Sequence, residues 1–245
     1  MSRFFVEPRQ VGEKTILIES REDLHHMIKV LRLGVGDIIE VSDTQEWEYT
    51  AAIESLDTDG AEAKIIDKQS FANEPVIKVT LFQGVPKQGK MEGIIQKCVE
   101  LGVNCIVPVF MERSVVTEKG NFHKKRQRWQ RISSEAVKQC KRGIVPHVGE
   151  AMKTDDMIGT FHEFDLVLFP YENEAGTTIK DVLTHVDDTA TRVAVIIGPE
   201  GGFSHGEAEA IVEAGGRSLS LGRTTLRTET AGMAVLAMVM YELEL

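Results

Sequence analysis

The 245-residue chain has little of what secreted and membrane-spanning proteins need. Its three cysteines are odd in number and form no C-x-x-C pair, so the sequence offers no disulfide framework and no zinc-ribbon motif. No apolar run approaches the roughly 18 residues of a membrane span. The N-terminal segment also lacks the apolar core of a signal peptide. These absences predict a reduced, cytoplasmic protein with no membrane partner.

An excess of positive charge is missing as well. The chain has 28 Lys and Arg against 38 Asp and Glu, a net charge of −10, which argues against a protein that coats nucleic acid through bulk charge. The charge is uneven, however, because residues 119–142 contain nine basic residues, Lys119 among them, and a single acid, Glu135. A +8 segment in an otherwise acidic chain predicts a localised contact with an anionic partner.

The sequence pattern changes near residue 72. Before it, short segments rich in β-branched and aromatic residues alternate with turns, which predicts a small barrel or sandwich. After the polar stretch 69–75, apolar strands alternate with amphipathic helices, which predicts a parallel sheet covered by helices. We therefore predict two domains, 1–72 and 73–245. The predicted strands are 3–6, 15–18, 38–42, 49–56, 62–66, 76–82, 105–110, 166–169, 193–197 and 218–221, and the predicted helices are 23–31, 87–101, 122–142, 207–214 and 230–243.

Three strand ends in the second domain are candidate ligand sites, because ligands of open α/β sheets lie at the carboxyl ends of strands. The strands lead into segments 170–172, 198–204 and 222–231. Glycines in the second segment would let a ligand approach the backbone closely, although a structural turn explains them equally well. The third segment is rich in hydroxyls and charges and precedes an apolar helix. Neither G-x-x-x-x-G-K-[ST] nor G-x-G-x-x-G occurs, which weakens ATPase and dinucleotide-binding interpretations.

Two C-terminal motifs carry a specific resemblance. They are IGPEGGF at 197–203 and LRTETA at 226–231. Together they resemble the SPOUT class of methyltransferases, and more closely the RsmE family, which methylates N3 of a uridine in 16S ribosomal RNA. Stretches 3–6, 25–32, 95–103 and 112–116 match the same family, so that the resemblance covers both predicted domains.

The resemblance implies a fold, a cofactor and an assembly. The first domain would be a PUA-like β-barrel that holds RNA, and the second an α/β trefoil knot. The protein would be a homodimer through its last helix, whose apolar residues independently predict burial in the core or against another subunit. The cofactor would be S-adenosylmethionine, with S-adenosylhomocysteine as product. The histidines show no ligand spacing, and we expect no metal. The implied cofactor-binding residues are Phe169, Pro170, Tyr171, Glu172, Ile197, Gly198, Pro199, Glu200, Gly201, Gly202, Leu221, Gly222, Leu226, Thr228, Thr230 and Ala231.

The implied reaction assigns roles to charged residues. N3 of uridine carries a proton and is a poor nucleophile while neutral, so the enzyme must favour its anion on an unpaired or extruded base. Arg227 is the predicted catalytic group that stabilises or orients the base, and Glu229 is predicted to orient loop groups. The family usually has an arginine where this chain has Thr224, so that Arg223 takes over its role or the role is weakened. The predicted RNA contacts are Arg3, Arg32, Arg113, Lys124, Lys125, Arg128 and Arg223.

Two other interpretations remain open at this point. The chain could be a SPOUT enzyme acting on another nucleotide, such as N1 of a tRNA guanosine or a ribose 2′-hydroxyl. It could also be a ribosome-associated RNA-binding protein without catalytic activity. The expected partner is 16S ribosomal RNA within the assembled 30S subunit, although free RNA fits the sequence equally well. Each predicted arginine also fits an ordinary surface salt bridge.

Overall fold

The computed structural model describes residues 3–71, 74–87, 89–116, 122–187 and 189–244. The chain divides into two compact units, one formed by Met1–Glu74 with Val137–Val145 and the other by Pro75–Ala136 with Pro146–Leu245. The predicted boundary falls on residues 72 and 73, which lie outside the described ranges, as does Lys119 of the basic segment. The first unit also contains residues 137–145, which the sequence pattern assigned to the second domain.

The first unit is built on a five-stranded sheet. Its strands follow the order β1-β3-β4-β5-β2, with β1 parallel to β3 and the other pairs antiparallel. Alternate residues of β4, such as Tyr49, Ala51 and Ile53, are buried in a core with residues of the other strands, as period-two patterning requires. The five strands lie where the sequence predicted strands, and closure of the sheet into a barrel stays a prediction. The strands are β1 (Arg3–Phe5), β2 (Thr15–Ile18), β3 (Ile38–Ser42), β4 (Trp47–Leu56) and β5 (Ala61–Ser70).

A helical segment connects β2 to β3. Helix α1 (Arg21–His25) begins after Ser20, whose hydroxyl accepts a hydrogen bond from the backbone N–H of Asp23. The segment continues as a wider π-helical turn over His26–Leu31 and ends at Arg32 in the left-handed region, with φ of 54°. The helix therefore begins two residues earlier than predicted. Its apolar periodicity starts only at Leu24, whereas the Ser20 cap fixes the first helical residue as Arg21.

Residues 137–145 join the first unit through buried polar contacts. The Glu74 carboxylate accepts hydrogen bonds from the Arg142 guanidinium at 2.8 Å and from the backbone N–H groups of Gly143 at 2.7 Å and Ile144 at 3.0 Å. The Ser42 hydroxyl donates to the Gly143 carbonyl at 2.5 Å. Polar contacts of this kind leave no hydrophobic periodicity in the sequence, which explains why the pattern assigned these residues to the other domain.

The second unit contains a seven-stranded, entirely parallel sheet. Six strands follow the order β12-β10-β11-β6-β7-β8, and β9 also pairs with β7. This confirms the predicted parallel sheet. Strands β8 and β9 were not predicted, because two residues are too few to show a pattern. The strands are β6 (Lys78–Gly84), β7 (Cys105–Phe110), β8 (His147–Val148), β9 (Met152–Lys153), β10 (Leu166–Pro170), β11 (Arg192–Ile197) and β12 (Arg217–Leu219).

Helices connect the strands of this sheet. The last helix, α7, packs against α2 and β11 and buries Val235, Leu236 and Val239, whereas Met238 and Tyr241 are exposed. None of the helices in the described ranges combines the length and the apolar character needed to cross a bilayer. Helices α4 and α5 were not predicted, since each is at most six residues long. The helices are α2 (Lys90–Glu100), α3 (Phe122–Cys140), α4 (Thr154–Gly159), α5 (Ile179–Leu183), α6 (His205–Glu213) and α7 (Thr228–Leu243).

Candidate active site

A cavity of about 870 Å³ lies at the carboxyl ends of β10, β11 and β12. Its walls come from the three segments that follow these strands, as the sequence predicted for a parallel sheet. Most of the predicted cofactor-binding residues line it, namely Pro170, Tyr171, Glu172, Ile197, Gly198, Pro199, Glu200, Gly201, Gly202, Leu221, Gly222, Leu226, Thr228 and Ala231. These predicted residues, which the cavity brings together, are up to 61 positions apart in the chain.

Two predicted cofactor residues, Phe169 and Thr230, are not among the residues that line the cavity. Phe169 is fully buried behind the wall, where its ring stacks on Tyr171 at 5.2 Å between centroids and meets the edge of Phe203 at 4.8 Å. Thr230 lies in the first turn of α7. The Phe169 ring thus supports a wall residue, and Phe203, which lines the cavity, was missing from the prediction.

Glycines in the 198–204 loop are required by its packing. Gly202 has φ of 67°, in the left-handed region, and a Cβ atom on it would collide with the Glu172 carboxylate. A Cβ atom on Gly198 would lie 2.9 Å from the ring of Phe203. The loop ends at Ser204, whose hydroxyl accepts from the Glu207 N–H at 3.2 Å while the Glu207 carboxylate accepts from the Ser204 N–H at 3.1 Å. These two bonds form a capping box, which begins helix α6.

A buried hydrogen-bond chain joins this loop to the start of α7. The Thr228 hydroxyl donates to the Gly198 carbonyl at 2.6 Å and accepts from Nε2 of Gln83 at 2.9 Å. Gln83 is fully buried at the end of the central strand β6, and its Oε1 has no hydrogen-bond partner among the residues described. Gln83 could not be predicted as part of the site, because a single polar residue at the end of an apolar strand forms no recognisable sequence pattern.

Lys90 lies at the edge of the cavity between two carboxylates. Its ammonium donates to Glu200 at 3.0 Å and to Glu229 at 3.2 Å, and these hydrogen bonds raise the lysine pKa. Burial opposes the ionisation of Glu200, but hydrogen bonds from its own N–H, from Lys90 and from the Lys87 N–H outweigh it and lower the pKa. The pKa of Glu229 is lowered by its own N–H and by Lys90. Lys90 was not predicted, and the Glu229 side chain is directed to it.

Glu174 is a second cavity residue that the sequence analysis missed. Its carboxylate accepts hydrogen bonds from the N–H groups of Gly176 at 2.8 Å and Thr177 at 3.1 Å, and from the Ser218 hydroxyl at 2.8 Å. These bonds lower the pKa of Glu174, the Gly176 N–H contributing most. The ionised carboxylate thereby fixes the loop after β10 against strand β12.

Three arginines lie at the cavity or contact its wall. Arg223 and Arg227 line it and are exposed, and within the described ranges neither guanidinium makes a hydrogen bond or an ion pair. Thr224, at the position where the family usually has arginine, lines the cavity beside them. Arg113 is exposed nearby, and its Nη1 donates to the Gly201 carbonyl at 3.2 Å. Of the predicted arginines, two line the cavity and a third contacts the 198–204 loop, hereafter the glycine loop.

The other predicted RNA contacts lie elsewhere. The Arg3 guanidinium, 9% exposed, binds Glu48 at 2.7 Å and the Lys141 carbonyl at 2.9 Å, a placement that favours a structural role over the predicted RNA contact. Arg32 is exposed at the end of the π-helical turn. Three further cations are exposed on α3, namely Lys124, Lys125 and Arg128, the last of which pairs with Glu92 at 3.4 Å.

The chain matches known protein families over both of its units. Residues 72–240 match the family described as "RNA methyltransferase domain", and residues 20–66 match "RNA methyltransferase PUA domain". The Ribosomal RNA small subunit methyltransferase E of Bacillus subtilis (strain 168) is 31% identical over 251 residues, covering 100% of this chain and 98% of that protein. The chain belongs to the ribosomal RNA small subunit methyltransferase E family.

Other members of the methyltransferase E family match over nearly their whole length. That of Mesomycoplasma hyopneumoniae (strain 232) is 30% identical over 96% of this chain and 97% of its own. The crystal structure of the Neisseria gonorrhoeae member, which is bound to S-adenosyl methionine, superimposes with a TM-score of 0.85 at 28% identity, covering 98% and 97% of the two chains. The family resemblance inferred from the two C-terminal motifs is thereby confirmed.

Proposed function

We propose that the protein transfers the methyl group of S-adenosylmethionine to N3 of a uridine in 16S ribosomal RNA of the small ribosomal subunit. The observation that carries this proposal is the cavity at the carboxyl ends of β10, β11 and β12, formed by the family's own motifs and opened to solvent beside Arg223 and Arg227. Membership in the methyltransferase E family supports the reaction class. The uridine N3 target rests on the resemblance and on the chemistry of the opening.

The residues present fit the cofactor. The cavity is within the range of about 300–1,000 Å³ that is usual for small-molecule sites. Its glycine loop exposes backbone, and a side chain on Gly202 would collide with Glu172, so that this wall is shaped by the absence of a Cβ atom. The 170–172 segment, the 198–202 loop and the 221–231 segment would hold the cofactor, which supplies an electrophilic sulfonium methyl group.

The arginines at the opening suit a substrate that must become an anion. The positive charges of Arg223 and Arg227 would stabilise negative charge on the uracil carbonyl oxygens as the N3 proton leaves, which is the electrostatic stabilisation most effective in a preorganised site. N3 lies on the pairing edge of the base, so that the uridine must be unpaired or extruded to reach the cavity. Arg113, whose guanidinium donates to the glycine loop, is a further arginine that the RNA would meet there.

The proposal includes the finer structural features that the resemblance implies. A knotted backbone is part of the proposal because the family resemblance implies it, and the bond from Thr228 to Gly198 holds the start of α7 against the 198–204 loop. A homodimer through α7 is supported by the exposed apolar side chains of Met238 and Tyr241. A PUA-like barrel in the first unit, an assembled 30S subunit as substrate and a cytoplasmic location complete the proposal.

Methyl transfer to 30S subunits tests the function directly. Purified protein, labelled S-adenosylmethionine and small subunits lacking the modification should give 3-methyluridine on nucleoside analysis, and methylated guanosine or 2′-O-methylribose would contradict the proposal. Saturable cofactor binding in calorimetry is expected, and its absence would favour a non-catalytic RNA-binding protein.

A matched pair of glycine variants tests the cavity itself. Gly202→Val should abolish cofactor binding, because its side chain would displace Glu172 or the loop. Gly206→Ala should bind normally, since no atom lies within 4 Å of its added Cβ position. Equal binding by both variants would show that the cofactor lies elsewhere.

A further inference from the structure

We propose that Lys90 is a positioning residue for methyl transfer, which keeps Arg227 available to the substrate by occupying the carboxylate of Glu229. This inference rests on the proposed function, because it assigns Arg227 to the reacting base. Lys90 would act through Glu229 and would not itself touch the uridine. No role for Lys90 follows from the two motifs that carry the family resemblance.

The contacts of Lys90 join three segments of the second unit. Lys90 is the first residue of α2, Glu200 lies in the glycine loop after β11, and Glu229 lies in the first turn of α7. The backbone N–H of Lys87 also donates to Glu200, at 3.1 Å to one carboxylate oxygen and 3.2 Å to the other. A single ammonium thus fixes the glycine loop to the helix that follows Arg227.

The position of Glu229 makes it a competitor for Arg227. The two residues are separated by one position at the start of α7, and their charges already attract each other, but no hydrogen bond joins them. The Glu229 carboxylate is instead directed to Lys90. Without that ammonium, Glu229 would have Arg227 as the nearest cation on its own helix. The guanidinium would then be drawn from the cavity into an ion pair.

A purely structural role for Lys90 is less consistent with the contacts. The glycine loop and the start of α7 are already joined in the protein interior, because Thr228 donates to Gly198 and accepts a hydrogen bond from Gln83. Lys90 is partly exposed, with 31% of its side chain accessible, and exposed ion pairs contribute little to stability. Lys90, Glu200 and Glu229 all stay charged at neutral pH, because the pKa of Lys90 is raised and the pKa values of the two carboxyl groups are lowered.

Suppression by a second substitution provides the test. Lys90→Met should lower kcat on 30S subunits by about tenfold, a coupling of the size measured between groups in contact, while the unfolding midpoint changes little. Lys90→Arg should retain activity within about threefold, since a cation still binds Glu229. The double variant Lys90→Met/Glu229→Gln should recover most of the lost kcat, because a neutral amide does not capture Arg227. Failure of the double variant to recover would overturn the inference.

A matched control and an independent readout keep this test separate from the proposed function. Lys97→Met removes an exposed lysine of the same helix that pairs with Glu100 outside the cavity, and it should leave kcat unchanged. In NMR spectra, hydrogen exchange at Nε of Arg227 should slow in Lys90→Met and return to the wild-type rate in the double variant. If wild-type protein makes no 3-methyluridine, the proposed function fails, and the Arg227 exchange rates still decide whether Lys90 prevents the ion pair.

Discussion

Two arginines of the first unit and two of the second have opposite surroundings. In the first unit, the side chains of Arg3 and Arg142 are 9% and 6% exposed and bind carboxylates of the same unit. In the second unit, Arg223 and Arg227 are exposed at the cavity without such partners in the described ranges. Arg3 and Arg223, both predicted from the family resemblance to contact RNA, therefore differ in the partners that the fold gives them. A guanidinium held by buried carboxylates is structural, and an unpaired one beside a cavity is available to an anionic ligand.

Breaking a paired arginine should have the largest effect on stability. Arg142→Met would leave the Glu74 carboxylate, 7% exposed, without its cation, and removing one partner of a buried pair costs about 3–5 kcal/mol. Urea unfolding followed by circular dichroism measures this loss. Arg9→Met breaks the exposed pair with Glu7, whose side chains are 79% and 63% accessible, and should cost less than about 1 kcal/mol. Similar losses for both variants would contradict the contrast drawn between buried and exposed pairs.

Removing an unpaired arginine should affect catalysis and leave stability unchanged. We expect Arg227→Met to lower kcat/KM on 30S subunits by about 100-fold, the cost of losing one donor that stabilises developing negative charge. The urea midpoint should stay within error of wild type, because no ion pair is lost. Arg217→Met, an exposed arginine of β12 outside the cavity lining, serves as control. A fall in stability for Arg227→Met with unchanged kcat would show that Arg227 is a structural arginine and not one that acts on the substrate.

Reversing the charges on α3 should have the smallest effect. The variant with Lys124→Glu, Lys125→Glu and Arg128→Glu should bind 16S ribosomal RNA more weakly, and its slope of log affinity against log salt should fall by up to about three. Filter binding at several salt concentrations measures both quantities. Lys153→Glu with Lys180→Glu places two reversals at exposed sites outside the basic segment and should change the slope less. Unchanged binding in the α3 variant would show that this face of the helix is only solvated.

The residues that line the cavity were easier to predict from the sequence than the groups that hold its walls together. The parallel sheet, the three segments at the carboxyl ends and most of the cavity lining followed from strand ends and two motifs. Lys90 and Gln83 did not follow, because each acts through partners distant in the chain: Lys90 and Glu229 are 139 positions apart, and Gln83 and Thr228 are 145. Glu174 has two partners close in sequence, but its hydrogen bond from Ser218 spans 44 positions. No local pattern encodes such a pair.

The same limit explains the errors about individual elements. Short elements such as β8, β9, α4 and α5 are formed by tertiary contacts and contain too few residues for a period to be visible. Residues 137–145 belong to the first unit through hydrogen bonds to Glu74 and Ser42, which are invisible to hydrophobic patterning. The ion pair of Arg3 with Glu48 is equally invisible in the sequence, and the RNA contact predicted for Arg3 stays a prediction.

The hydrogen-bond chain from Gln83 through Thr228 to Gly198 has a consequence for synthesis of the protein. A ribosome translates Gln83 and the glycine loop well before Thr228 exists, so the bonds that Thr228 makes to both can form only once the start of the last helix has been made. The cavity is complete only then, because Thr228 and Ala231 belong to its lining. A cofactor that binds the finished cavity would stabilise the completed fold by mass action and would give no help to its precursors.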